Sequence, residues 1–316
     1  MTSILGLHHV TATVAQAQAD VDFFAGLLGL RLVKKTVNFD NTGVYHFYYG
    51  DEVGSPSTLM TTFPYAGQGV GQGRHGAGQI SVTTFSIPEG ALERWVSRLG
   101  EAGVGILWHG RRFGQEALEF QDPSGLRIEL REAPGDDRVP WKGGGLGEEL
   151  SIRGIHSVTL RLHQAEPSLS FLAQMLGMNE GRREGDRIQV TAGEGGPGAL
   201  LELEVDPDAP PGVNGLGTVH HVALAVKDED AQARVRAHLV ERGVDVTQVR
   251  DRQYFRSIYF REPGGVLYEV ATRGPGFTVD ESTEELGQAL KLPPWEEERR
   301  PRIEARLPKI TLEGLK

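Results

Sequence analysis

The chain has 316 residues, a net charge of −10 and a pI near 5.5, with 39% hydrophobic and 24% charged residues. That size and composition suit two domains, or one large one, with a sizeable core, and the acidic balance argues against nucleic acid or an anionic membrane as the main partner. There is no cysteine, so disulfides, zinc-thiolate sites, iron–sulfur clusters and a cysteine nucleophile are excluded, and any metal must be held by histidine and carboxylate.

The N-terminus, MTSILGLHHV, has no charged region leading into a long apolar run, and no stretch is apolar enough to span a bilayer, so a cytoplasmic location is expected. A strand-like run, LHHVTATV at 7–14, is followed by a helical pattern ending in FFAGLLGL at 23–30 and later by the strand-like 58–63. The glycine-rich stretch 67–78 has Gly-x-Gly spacing. The strand-like segment 79–85 follows it instead of a helix, so it reads as a flexible connector and not as a dinucleotide loop. The Pro-, Gly- and charge-rich stretch 132–153 reads as a linker. IHSVTLRL at 155–162 then opens the second half, a helix is expected at 230–242 and stopped by Gly243, and Glu262-Pro263-Gly264-Gly265 makes a tight turn. The charged tail from 274 carries Phe277, Leu290, Trp295, Ile310 and Leu312 as apolar anchors, so it is expected to wrap a domain.

Internal repeats organise this pattern. Residues 79–130 align without a gap on 219–270 at a constant offset of 140, placing Gly103 on Gly243, Arg112 on Arg252, Pro123 on Pro263 and Glu129 on Glu269. At an offset of 148, LHHVTATV falls on IHSVTLRL, and Gly29 falls on Gly177. Each unit reads as strand, helix, then two or three strands, and such a unit cannot cover both faces of its own sheet. The expected fold is therefore α+β, with four βαβββ modules in two paired domains. Residues 1–135 form the first pair, 136–153 the linker, 154–273 the second pair and 274–316 the tail.

Duplication lets the sequence serve as its own control, because aligned positions that differ in chemistry are candidates for function. His9 aligns with Ser157, and His221 with Ser81. Glu269 lies in an otherwise apolar strand-like run, where a carboxylate is costly unless it is paired or bound to a cation. Two imidazoles and one carboxylate make the facial triad of non-haem iron(II) sites, which leaves positions open for dioxygen and substrate. A fourth carboxylate would have to come from 58–63, TLMTTF, which has no acid. The other pair would present Ser81, Ser157 and Glu129, which reads as a dead site. Strand alternation puts His220 on the opposite face from His221. His46 either lines a pocket or sits on a sheet face, and His75 reads as a loop residue.

The four-module layout resembles the vicinal oxygen chelate superfamily of glyoxalases, extradiol dioxygenases and antibiotic-binding resistance proteins. Within it, LGLHHVTATV, LVKKTVNFD, TGVYHFYYGD, TVHHVALAV and DRQYFRSIYFREPGGVLYEVAT resemble the hydroquinone-type ring-cleaving dioxygenases, over nearly the whole chain. The resemblance implies Fe(II) on His9, His221 and Glu269, with Mn(II) fitting the same donors, and O2 as co-substrate. It also implies that module one pairs with module four, and that a small aromatic diol, a para-diol more than a catechol, is cleaved beside a hydroxyl. Carried over by position, Tyr259, Arg252 and His8 are expected in catalytic roles around the metal, with His8 as an acid or base. Members often self-associate, so a homo-oligomer is compatible with the resemblance. Two other readings stand beside it: a glyoxalase-type lyase or isomerase on zinc or nickel, active without oxygen and needing a fourth ligand, and a metal-free protein that binds an aromatic drug.

Overall fold

The computed structural model describes residues 4–312. Module one comprises β1 (Gly6–Val14), α1 (Ala17–Val21) running into a π-helical turn (Asp22–Leu27), β2 (Arg31–Asn38), β3 (Asn41–Gly50) and β4 (Leu59–Pro64). Module two has β5 (Gln79–Ile87), α2 (Leu92–Glu101), β6 (Ile106–Arg112), β7 (Gln115–Gln121) and β8 (Arg127–Glu132). Module three has β9 (Gly154–Leu162), α3 (Glu166–Leu176), β10 (Asn179–Glu184), β11 (Arg187–Thr191) and β12 (Leu200–Val205). Module four has β13 (Thr218–Val226), α4 (Glu229–Glu241), β14 (Arg250–Asp251), β15 (Phe255–Arg261) and β16 (Leu267–Pro275). The helix expected at 230–242 begins one residue earlier because Asp228 caps it, its carboxylate accepting from the Ala231 N–H at 2.9 Å. Gly177 and Gly243 follow α3 and α4 with φ of 65° and 78°, the left-handed conformation that ends a helix most cheaply without a Cβ.

The strands form two curled eight-stranded sheets, in the orders β14-β15-β16-β13-β1-β4-β3-β2 and β10-β11-β12-β9-β5-β8-β7-β6. Module one therefore joins module four, and module two joins module three. Each sheet is sewn at its centre by an antiparallel seam, β1 on β13 and β5 on β9. Halves 1–135 and 154–273 are units of the sequence, and each supplies one module to each sheet. Among the described residues no helix is long and apolar enough to cross a membrane.

One segment differs from the sequence expectation, and two others are tied down. The stretch 67–78 is paired rather than flexible. Gly73 N donates to Leu216 O at 2.9 Å, and Arg74 and Val213 exchange two backbone hydrogen bonds of 2.9 Å. The crossover from module one to two thus zips onto the crossover from module three to four. Its glycines permit the approach, since a Cβ on Gly76 would sit 2.1 Å from Pro210 O. The linker is fastened as well, with Trp95 Nε1 donating to Leu150 O at 3.0 Å and Leu150 and Ile152 buried. Along the tail, Phe277 is buried and Leu290, Ile310 and Leu312 pack partly buried against the core, as expected; Leu286, Leu292, Ile303 and Leu307 are further buried anchors, while Trp295 is half exposed and packs edge-on against Phe39. Lys34 of β2 is wholly buried, with its ammonium between Asp280 (2.6 Å) and Glu281, and this holds the tail along the sheet edge.

A buried carboxyl sits in module one. Asp20 accepts from Tyr49 Oη (2.7 Å) and Thr62 Oγ1 (2.6 Å), and burial pushes its pKa up to about 7. Because the folded pKa lies above the unfolded one, the ionised form costs stability above pH 7, and the cost vanishes as pH falls toward 4. Asp20→Asn keeps an acceptor for both hydroxyls. It is expected to raise Tm at pH 8, by the equivalent of roughly 3 kcal/mol, and to change it little at pH 4.5. Equal effects at both pH values would refute an ionised Asp20 in the neutral-pH fold.

Candidate metal centre

The seam between β1 and β13 builds the site. Its register runs Leu7↔Leu224, then His9↔Ala223, and Thr11↔His221, then Ala12↔Val219, so His8 and His220 are each bulged out of the ladder. A bulge places an extra residue in one strand and re-aims its neighbours. The expectation that His220 faces away from His221 fails for this reason: the two Nδ1 atoms are 2.8 Å apart, and His220 lines the central cavity as well as a smaller one behind it. His8 Nδ1 likewise lies 2.9 Å from His9 Nδ1.

The three expected ligands come together. His221 Nε2 is 2.8 Å and His9 Nε2 3.4 Å from Glu269 Oε2, and the two Nε2 atoms are 3.4 Å apart. All three residues are buried, and among the described residues they form the one such cluster of His and carboxylate donors. Donors about 3 Å from one another are what three ligands on one face of a single ion need when each bond is about 2.1 Å, so the residues fit a divalent metal. Burial alone would raise the Glu269 pKa, but the two imidazoles outweigh it and hold the carboxyl well below its usual range.

The parallel strand pairs show why, among the described residues, no second carboxylate joins the three donors. Glu269 lies opposite Ala223, two residues after His221, and Thr61 lies opposite Thr11, two residues after His9. Thr61 thus occupies the position where a second carboxylate would stand, with its hydroxyl 2.8 Å from Thr11 Oγ1 and 3.0 Å from His46 Nε2.

Above the donors lies a cavity of about 260 Å³. Its walls include Phe39, Tyr48, Phe63, Phe255 and Tyr259, and its polar lining includes Asp40, His46 and Arg252. Arg252 Nε donates to Tyr259 Oη at 3.1 Å, and the Tyr259 ring meets the His221 ring edge-on at 5.7 Å. Burial, then the nearby Glu269 charge, pushes the Tyr259 pKa up, so its phenol stays protonated at neutral pH. His46 does line the cavity, with Nδ1 2.9 Å from Tyr48 Oη, and burial first and His9 second push its pKa well below the ordinary value. His75 instead contacts Gly125 O at 2.9 Å, away from the cavity.

His8 is not among the residues lining the cavity. It lies behind His9 and against Phe255, and burial followed by the His9 charge lowers its pKa to about 3. That position gives no support to the expected role as acid or base at the substrate. Ser257 was missed by sequence reasoning: it is wholly buried and donates its hydroxyl to Glu269 Oε1. The alignment holds a signal for it, because Ser257 falls on Ala117 at the same offset that pairs Glu269 with Glu129.

The second sheet repeats the seam, with Ser81 and His156 bulged. Beside the expected Glu129 stands Glu202, and Arg131 fills the space between them, its guanidinium 2.5 Å from each carboxylate. All three are buried. Burial would lower the Arg131 pKa, but the two carboxylates raise it instead. Arg131 falls on Ala271 of module four, so an internal guanidinium stands in one sheet where a metal fits in the other.

The family model described as "Glyoxalase/Bleomycin resistance protein/Dioxygenase superfamily" matches residues 6–130 and 154–270. The chain belongs to this superfamily. Among curated members it is 40% identical over 295 residues to the "Chlorohydroquinone/hydroquinone 1,2-dioxygenase" of Sphingobium indicum, covering 92% of this chain and 91% of that one. It is also 40% identical over 300 residues to the "Putative ring-cleaving dioxygenase MhqO" of Bacillus subtilis, covering 95% of each. A crystal structure of a superfamily protein from Bacillus subtilis superposes with a TM-score of 0.94 at 39% identity over 99% of both chains.

Proposed function

We propose that this protein is an iron(II)-dependent dioxygenase that opens the ring of a hydroquinone-type diol, with O2 as co-substrate. The observation that carries the reading is the convergence of His9, His221 and Glu269 under a one-ring aromatic cavity, with Thr61 where a fourth ligand would stand. Thr61 also counts against a glyoxalase-type lyase, and the buried donor triad counts against a metal-free drug-binding protein, which has no need of it. The names of the 40%-identical relatives supply the substrate class.

Iron(II) held by His9, His221 and Glu269 would supply one-electron chemistry between an aromatic diol and dioxygen. The remaining work falls to the chain's own residues. With Nε2 of each ligand imidazole turned to the donor cluster, Nδ1 would carry the proton, so His9 would donate to His8 and His221 to His220, holding both ring orientations. The low pKa of His8 keeps it a neutral acceptor there. Ser257 fixes the carboxylate. Tyr259, protonated and over His221, donates a hydrogen bond to the ring oxygen, and Arg252 orients that hydroxyl and opposes negative charge as the ring opens. Phe39, Phe63 and Phe255 enclose the ring and exclude water.

Anaerobic reconstitution with Fe(II), followed by oxygen-electrode assays with hydroquinones and catechols, tests the reading. Oxygen uptake with neither, or turnover of a thiol hemiacetal substrate without oxygen, would overturn it. Tyr259→Phe is expected to keep stoichiometric iron while kcat falls by about a hundredfold or more; unchanged turnover would remove Tyr259 from the chemistry.

A further inference from the structure

The rim of the cavity carries a carboxylate, Asp40, that the ring-opening chemistry leaves unused. The hairpin between β2 and β3 reaches across from module one and places Phe39 and Asp40 over the part of the cavity built by module four. Its tip is fastened on three sides. Asp40 N donates to Asn38 Oδ1 at 2.9 Å, Asn38 Nδ2 donates to Tyr65 Oη at 2.9 Å, and Trp295 of the tail packs on Phe39. So held, the Asp40 carboxylate lies 3.3 Å from Arg252 Nη1 and 3.8 Å from Arg250 Nη1.

Three lining residues carry a formal charge outside the imidazoles: Glu269, which faces the metal donors, and Asp40 and Arg252, which face each other. A guanidinium in an aromatic cavity would ordinarily recruit a carboxylate from the ligand. Here the chain supplies its own carboxylate to that guanidinium from the rim. We propose that Asp40 is a specificity-determining residue that turns away hydroquinones bearing a ring carboxylate, by occupying Arg252 and by repelling a second anion at the mouth. The inference rests on the ring-diol reading above, and it identifies the residue that keeps the accepted rings uncharged. As a stabilising contact the pair counts for little, because Asp40 is mostly exposed and screened by water. Its effect lies in the difference between two ligands, which share the same protein cost.

The test compares hydroquinone with 2,5-dihydroxybenzoate on the iron-loaded protein, by anaerobic calorimetry and by aerobic kcat/KM. The wild type should favour the neutral ring. Asp40→Asn should narrow the ratio of the two Kd values by about fivefold to tenfold, and Asp40→Glu, which keeps the charge, should restore most of the discrimination. Raising the salt from 0.05 to 0.5 M should narrow the wild-type ratio and leave that of Asp40→Asn nearly flat. Equal ratios in wild type and Asp40→Asn would overturn the proposal. The anaerobic binding ratio is independent of turnover, so a shifted ratio without oxygen uptake would sink the ring-cleavage reading alone and leave the role of Asp40 standing.

Discussion

A His221→Ala protein is expected to lose stoichiometric iron and, with it, all measurable oxygen uptake. The argument is one of donor count. Glu269 and His9 alone cannot hold one face of an ion, and removing even a group that merely orients a ligand costs about ten- to a hundredfold in metal affinity, so loss of a ligand should cost more than about a hundredfold. Removing the imidazole also leaves the buried Glu269 carboxylate with one close partner fewer. Iron content after anaerobic reconstitution and gel filtration reads the outcome, and a circular dichroism melt shows that the sheet has formed. Ser257→Ala is the contrast: it frees Glu269 Oε1 without removing a donor, so iron should bind more weakly and still support turnover at saturating metal. Full iron occupancy in a folded His221→Ala protein would take His221 out of the ligand set.

The second large effect belongs to the sheet that lacks the candidate metal centre. Arg131→Met should remove the guanidinium shared by the buried Glu129 and Glu202, leaving Glu129 with Arg112 at 2.6 Å and Glu202 with Arg187 at 3.4 Å. Breaking a buried ion group by removing one partner costs roughly 3–5 kcal/mol. For a protein of this size that is a fall in Tm on the order of 10 °C. Changing all three positions to apolar side chains together should recover most of the loss, because the cost arises from uncompensated charge and not from the missing contacts. Iron content of the still-folded fraction should be unaffected, since the ligands lie in the other sheet. An Arg131→Met protein that melts with the wild type would mean that Arg131 does not serve as an internal counter-ion. Arg187 also reaches Glu202 at 3.4 Å and Glu204 at 2.6 Å, so Arg187→Met should give a smaller fall of the same sign.

Where sequence reasoning missed, the physical reasons are particular. Strand alternation assumes an unbroken ladder, and bulges at His8 and His220 break it at the residues that matter, so His220 turned up beside His221. Glycine content suggested a flexible 67–78, but glycine also permits close backbone approach, and the partner strand lay about 140 residues away where no local signal reaches. His8 is expected beside the ligand His9 with an acid or base role; it does stand beside His9, with its ring packed against Phe255 and outside the cavity lining. Ser257 is legible in the same self-alignment that sets His221 against Ser81, because it falls on Ala117.

What the chain's linear order determined by itself is the repeated βαβββ unit, the turns that Pro and Gly dictate, and which duplicated positions differ, with histidine at 9 and 221 where the repeats carry serine. Those are properties of spacing and residue type, which need no partner to be read. The tertiary structure alone decided that module one sits beside module four, that two bulges aim four histidines toward one another, that Thr61 fills the fourth position, and that Arg131 balances Glu129 and Glu202 in the opposite sheet. Each of these depends on groups far apart in sequence being buried together, where desolvation sets which charges must meet, and a local pattern carries no information about that meeting.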